Sequence, residues 1–307
     1  MTSDIAATPR LLFQRAKVRK EDERVFVGKL AVLALLLAAG SFLAMQPSLL
    51  VAFPGMVILA LAYTHAVELQ HQCLHHSAFR SSGVHRWVGV PLGLPMLVGY
   101  SHYRVRHLQH HRYLGTPEDT EFFGFDTRQP ITARALAKGL FDVARLGAVG
   151  RDIGLSVVSA WRYEFGQISP KSSKDIMNEY RLFAIFLAGL GLLCGFGEWR
   201  AVLCLWVVPF VLAMPMHFLV ELPEHILCDT TSVDVLRNTR SITGSRFATW
   251  FTNGNNLHIE HHAAMNVPIN RLPERHGEVR EFGVNVQRTY AEFFAILLAE
   301  VRKNAKK

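Results

Sequence analysis

Between Leu30 and Val67 the chain carries no Asp, Glu, Lys or Arg, and between Leu182 and Val220 only Glu198 and Arg200. Each run is about 38 residues long, roughly twice the ~20 that cross a bilayer as a helix. Each is also interrupted at its centre, by Gln46-Pro47-Ser48 and by Gly197-Glu198-Trp199-Arg200. Two helical hairpins, giving four spans, are the simplest arrangement. A buried hairpin of a water-soluble core is the rival, but charge-free runs of this length are rare in soluble domains. A cleaved signal peptide does not fit, because the apolar stretch is too long and follows a charged segment.

This pattern predicts a single all-α integral membrane domain. A polar arm is expected at 1–26, a first hairpin at 27–68, a cytoplasmic segment at 69–181, a second hairpin at 182–222 and a further cytoplasmic segment at 223–307. Arg10, Arg15, Lys17, Arg19, Lys20, Arg24 and Lys29 precede the first run, and Lys303, Lys306 and Lys307 close the chain. The hairpin tips hold only Arg200. The positive-inside rule places both termini and the long central segment in the cytoplasm. The formal charge of +8 is read as attraction to an anionic membrane surface; no motif supports nucleic acid as a partner. Cys73, Cys194, Cys204 and Cys228 form no Cys-x-x-Cys pair, so neither a zinc ribbon nor a disulfide framework is expected.

Eight of the 15 histidines fall into three clusters: His71-x-x-x-His75, His107-x-x-His110-His111 and His258-x-x-His261-His262. On a helix, residues three and four apart share a face, so each cluster can aim its imidazoles at one point. Neutral imidazole is the commonest protein metal ligand. Three such faces exceed the needs of one tetrahedral ion, which points to two metals. The second span should continue as helix through His71, and the helix carrying His107–His111 should end near Gly115-Thr116-Pro117. Val88 to Tyr100 is apolar but too short to span, and Ala133 to Phe165 reads as amphipathic helix at the membrane surface. All three clusters then lie on one side of the membrane.

The clusters resemble the three boxes of the membrane fatty acid desaturase superfamily, which includes acyl and sphingolipid desaturases, alkane hydroxylases and carotenoid ketolases. His107-Leu108-Gln109-His110-His111-Arg112-Tyr113-Leu114-Gly115 followed by Asp119 is similar to the second box. Asn255-Asn256-Leu257-His258-Ile259-Glu260-His261-His262, with Val267-Pro268 and Leu272-Pro273, is similar to the third. The resemblance covers most of the chain from about Ala31 to His276. It implies a ninth histidine just after the fourth span, often following Glu; Glu224-His225 takes that position, with His217 as the rival. His76 is read as a support for the neighbouring ligands or as structural, and His65, His85, His102 and His276 as structural, with His102 close enough to the second box to support it. One departure is His71-Gln72, where the first box commonly has His-Asp or His-Glu.

The resemblance also implies two iron ions, dioxygen as co-substrate and an acyl lipid or acyl thioester as substrate. Carboxylates or amides should anchor the far nitrogens of the imidazoles, with Asp119, Glu121, Glu221, Glu224, Asn256 and Glu260 as candidates. Electrons must come from outside. The chain has no haem-binding His-Pro-Gly-Gly segment, no iron–sulfur cysteine set and no dinucleotide-binding glycine motif after a strand. A ferredoxin or similar carrier is the expected donor. A hydroxylase or ketolase on the same scaffold is the nearest rival function. A bis-histidine cytochrome would place its histidines deep in facing spans. A zinc protease requires Glu where Gln72 stands, and a transporter places its ligands near the bilayer midplane.

Overall fold

The computed structural model describes residues 11–119, 125 and 127–306. Its helices run in the order α1 (Lys20–Ala44), α2 (Leu49–Leu74), α3 (Val84–Gly93), α4 (Tyr100–Tyr113), α5 (Ala133–Leu140), α6 (Val143–Val157) and α7 (Pro170–Gly195). They continue with α8 (Trp199–Val202), α9 (Val208–Glu221), α10 (Val235–Asn238), α11 (Arg246–Phe251), α12 (His258–Ala263), α13 (His276–Phe282) and α14 (Tyr290–Asn304). Strands β1 (Arg240–Ile242) and β2 (Asn285–Gln287) pair in parallel, with Ser241 opposite Val286. The fold is mostly helical, as expected, apart from this short ribbon.

Among the described residues, four helical stretches are long and apolar enough to cross a membrane: Lys20–Ala44, Leu49–Leu74, Pro170–Gly195 and Trp199–Glu221. Leu35, Phe42, Leu50, Ile185 and Leu192 stand exposed on them, as side chains that meet lipid rather than water would. The most buried of the four is α2, which packs against α1, α3 and α9. At one end of the bundle, the Arg200 guanidinium donates to the Met45 and Gln46 carbonyls at 3.2 and 2.6 Å. This charge at a tip satisfies the carbonyls that the end of α1 leaves open.

The fourth stretch is locally unwound for a physical reason. Pro209 has no N–H for the Leu205 carbonyl, and the Tyr63 hydroxyl of α2 donates to that oxygen instead. Residues Leu203–Val207 form a π turn between α8 and α9, the usual device for absorbing such a defect.

Three boundaries differ from the sequence reading. α1 begins at Lys20, inside the segment expected to be a polar arm; Glu21, Asp22 and Glu23 in its first turn favour a helix N-terminus there. The arm is also packed, with Leu12 buried beside Ile259, Leu236 and Val279. α7 begins at Pro170, well before the charge-free run, because Ser169 caps it and Pro170 suits its first turn. The expected amphipathic stretch is two helices, since the Asp142 side chain accepts the Arg145 N–H and starts α6 afresh.

Candidate metal centre

Box one lies at the end of α2, which runs unbroken through His71 to Leu74 with His75 as its C-cap. Box two occupies the last two turns of α4, which stops at Tyr113, just before Gly115. Gly115 has φ +84°, and a Cβ there would stand 2.0 Å from the Ser232 carbonyl oxygen, so only glycine lets the chain turn at this point.

Box three needs more support, because α12 is only six residues long. The Ser241 hydroxyl of β1 accepts the Ile259 N–H at 3.0 Å and donates to Glu260 Oε2 at 2.5 Å. Glu260 Oε1 meets His276 Nδ1 at 2.5 Å. Gly254 precedes the helix at φ +83°, where a Cβ would stand 2.5 Å from Ile269.

These supports bring the boxes together in two groups. In the first, ring nitrogens of His71, His75, His107, His111 and His261 all lie within 4.8 Å of one another. Within it, His71 Nε2 is 2.7 Å from His107 Nε2, and His75 Nε2 is 2.9 Å from the same atom. In the second, His110, His225 and His262 converge within the same limit, as do Glu224, His225 and His258. His225 Nε2 is 3.2 Å from that of His110 and 3.1 Å from that of His258. Helices α4 and α12 each serve both groups, which adjoin where the His111 and His262 rings stack 3.9 Å apart.

The far nitrogens have partners of several kinds. His110 Nδ1 meets Asp119 Oδ1 at 2.8 Å, His258 Nδ1 meets Asn255 Oδ1 at 3.0 Å, and His225 Nδ1 meets the Asn238 carbonyl at 3.1 Å. Asn238 carried no sequence signal, because its contribution is a main-chain oxygen. Asn256, the candidate named from the sequence, instead donates to the Ile242 carbonyl at 2.7 Å and accepts from the Thr252 hydroxyl. Its neighbour Asn255 makes the imidazole contact. Glu260 braces α12 as described, and Glu121 lies outside the described residues.

Glu224 takes a position among the convergent nitrogens. Its Oε2 is 3.2 Å from His258 Nε2, while its Oε1 accepts the Asn255 amide at 2.5 Å. His217, the rival ninth histidine, sits with Glu68 and Glu221 and belongs to neither histidine group.

The remaining histidines serve structure. His65 Nδ1 bonds the Phe251 carbonyl at 2.8 Å, His85 Nε2 accepts the Phe79 N–H at 3.0 Å, and His76 stacks on His85. His102 bonds the Tyr180 hydroxyl at 2.6 Å. Gln72 explains its own departure from the common box. Its amide donates to the Ser77 carbonyl and accepts from Asn253, both at 3.1 Å, and a carboxylate could not do the former.

The donor set fits transition-metal ions. Burial, and then the neighbouring imidazoles, push His75, His111 and His262 well below the usual histidine range. They are therefore neutral near pH 7, the form in which imidazole binds metal. Five imidazoles exceed the four ligands of a structural zinc site. Nitrogen-rich sets of this kind suit redox-active ions such as iron.

A cavity of about 250 Å³ reaches the centre. Met96, Leu97, Val149, Met214 and Phe218 give it apolar walls, while His107 and His110 form part of its lining.

The sequence model of fatty acid desaturases matches residues 47–294, most of the chain and all three boxes. The protein belongs to the fatty acid desaturase family. The match agrees with the four membrane-length helices. The chain is also similar to an sn-1 oleoyl-lipid 12-desaturase of Arthrospira platensis, at 24% identity over 225 residues. That match covers 67% of this chain and 62% of the relative, so the chain spans under two thirds of the relative's length.

Proposed function

We propose that this protein is a di-iron, dioxygen-dependent desaturase that introduces a C=C bond into a lipid acyl chain. The observation that carries the reading is the convergence of nine imidazoles from three boxes and one loop into two adjoining groups, of which His107 and His110 line a largely apolar cavity. In this reading His71, His75, His107, His111 and His261 hold one iron. His110, His225, His258 and His262, with Glu224 beside them, hold the other. The metals, once reduced, would supply the oxidising power that dioxygen needs to remove hydrogen from an unactivated C–H bond.

The chain's residues account for the rest. Overall, –CH2–CH2– plus O2, two electrons and two protons gives –CH=CH– and two waters. Met96, Leu97, Val149, Met214 and Phe218 would hold an acyl segment against the His107 and His110 side of the centre, and burial of the histidines excludes bulk water. Asp119 holds a proton on His110 Nδ1 and so keeps the Nε2 lone pair directed inward. The activity of the Arthrospira relative supports an oleoyl-type acyl chain. An external carrier, a ferredoxin or a similar small protein, would deliver electrons from the cytoplasmic side, an orientation that the lysine and arginine distribution supports.

The test is lipid profiling of a host expressing the wild type or His110→Ala. Wild type should yield lipids lighter by two hydrogens, and the variant none. Identical profiles would refute the enzyme assignment, and a product heavier by one oxygen would replace desaturation with hydroxylation.

A further inference from the structure

The histidine centre leaves one buried cluster unexplained. Glu68 projects from α2, one turn before His71, or ~4.5 Å along the axis. His217 and Glu221 occupy positions i and i+4 on α9, the helix packed against α2. One ligand atom from each of the three lies within 4.8 Å of the others. His217 Nε2 and Glu221 Oε1 are 3.3 Å apart. Ligands bonded at about 2.1 Å with a tetrahedral angle stand ~3.4 Å apart, so this pair already has the spacing of a metal site.

A second observation points to a ligand. Glu68 is only 2% exposed, and its Oε2 has no hydrogen-bond partner. A carboxylate so buried is costly without a compensating charge, and Glu221 adds a second carboxylate. Arg145 lines the same cavity, where its guanidinium bonds the Met96 carbonyl at 3.4 Å and is a counter-charge to Asp142 and Glu221, while the Glu68 oxygen stays unpartnered. Two carboxylates and one imidazole balance the charge of a divalent ion and satisfy its preference for mixed oxygen and nitrogen donors.

We propose that Glu68, His217 and Glu221 form a separate binding site for a divalent transition-metal ion, at the wall of the cavity. His217 and Glu221 both line that cavity, so the ion would keep an open position toward it for water or an oxygen atom of the substrate. The proposal does not depend on iron in the histidine centre.

The test uses manganese(II), which favours carboxylate-containing sites and competes poorly for all-imidazole ones. The full-length protein in detergent, already loaded with iron, is titrated with manganese and the free ion followed by electron paramagnetic resonance. Wild type should take up about one manganese ion per chain, and Glu68→Gln should bind it at least tenfold more weakly with its iron content unchanged. His217→Gln should reproduce that loss if the first variant folds poorly. His110→Ala should lose iron yet keep the manganese. The proposal is overturned if wild type takes up no manganese, if Glu68→Gln binds as tightly as wild type, or if manganese is lost with His110→Ala but not with Glu68→Gln.

Discussion

His261→Ala is expected to abolish desaturation in cells, with product reduced at least 100-fold, and to lower bound iron in the purified protein. The reason lies in how the first group is assembled. His71 and His75 come from α2, and His107 and His111 from α4, while α12 contributes His261 alone. Removing it opens a coordination position and cuts the link between α12 and that group. His261 is 1% exposed, so the truncation also leaves a cavity in the wall of the centre. A variant that keeps full iron and full product would mean His261 is packing alone.

Asp119→Asn is expected to cost roughly 10–100-fold in activity or iron affinity, the range typical for partners of metal-bound histidines. The carboxylate accepts from His110 Nδ1 at 2.8 Å and fixes the tautomer whose Nε2 is a bare lone pair. An asparagine amide can instead present N–H to Nδ1, which favours the tautomer with its proton on Nε2, facing the metal. Asp119 is partly exposed, with 23% of its side-chain surface accessible, so the fold itself should tolerate the change. Equal melting temperature with reduced iron affinity is the expected pair of results. A change below twofold in both activity and iron would remove Asp119 from the centre.

The parts of this molecule that rest on local periodicity were legible before any coordinates. His71 and His75, or His107 and His111, share a helix face by spacing alone, and the charge-free runs announce membrane-length helices. What escaped depends on neighbours distant in sequence. Asn255 and Asn256 are adjacent, yet one turns to His258 and the other to the Ile242 carbonyl, because this segment runs antiparallel beside β1. Glu260 adjoins His261 in sequence but faces Ser241 and His276 on the far side of α12. The separation of His217 from His225 follows from where α9 stops, at Glu221, so that Glu224 and His225 belong to a loop free to reach the second group. Asp142 was a readable capping signal within the amphipathic stretch, hidden by the apolar residues around it.

The proposed activity requires distant side chains to gather about a pair of ions. Mössbauer spectroscopy of protein grown on iron-57 tests that directly. About two irons per chain, as two inequivalent sites in equal amounts with nitrogen-rich coordination, are predicted from a five-imidazole group beside a four-imidazole group with a carboxylate. Protein that is active but holds one iron, or none, would contradict it.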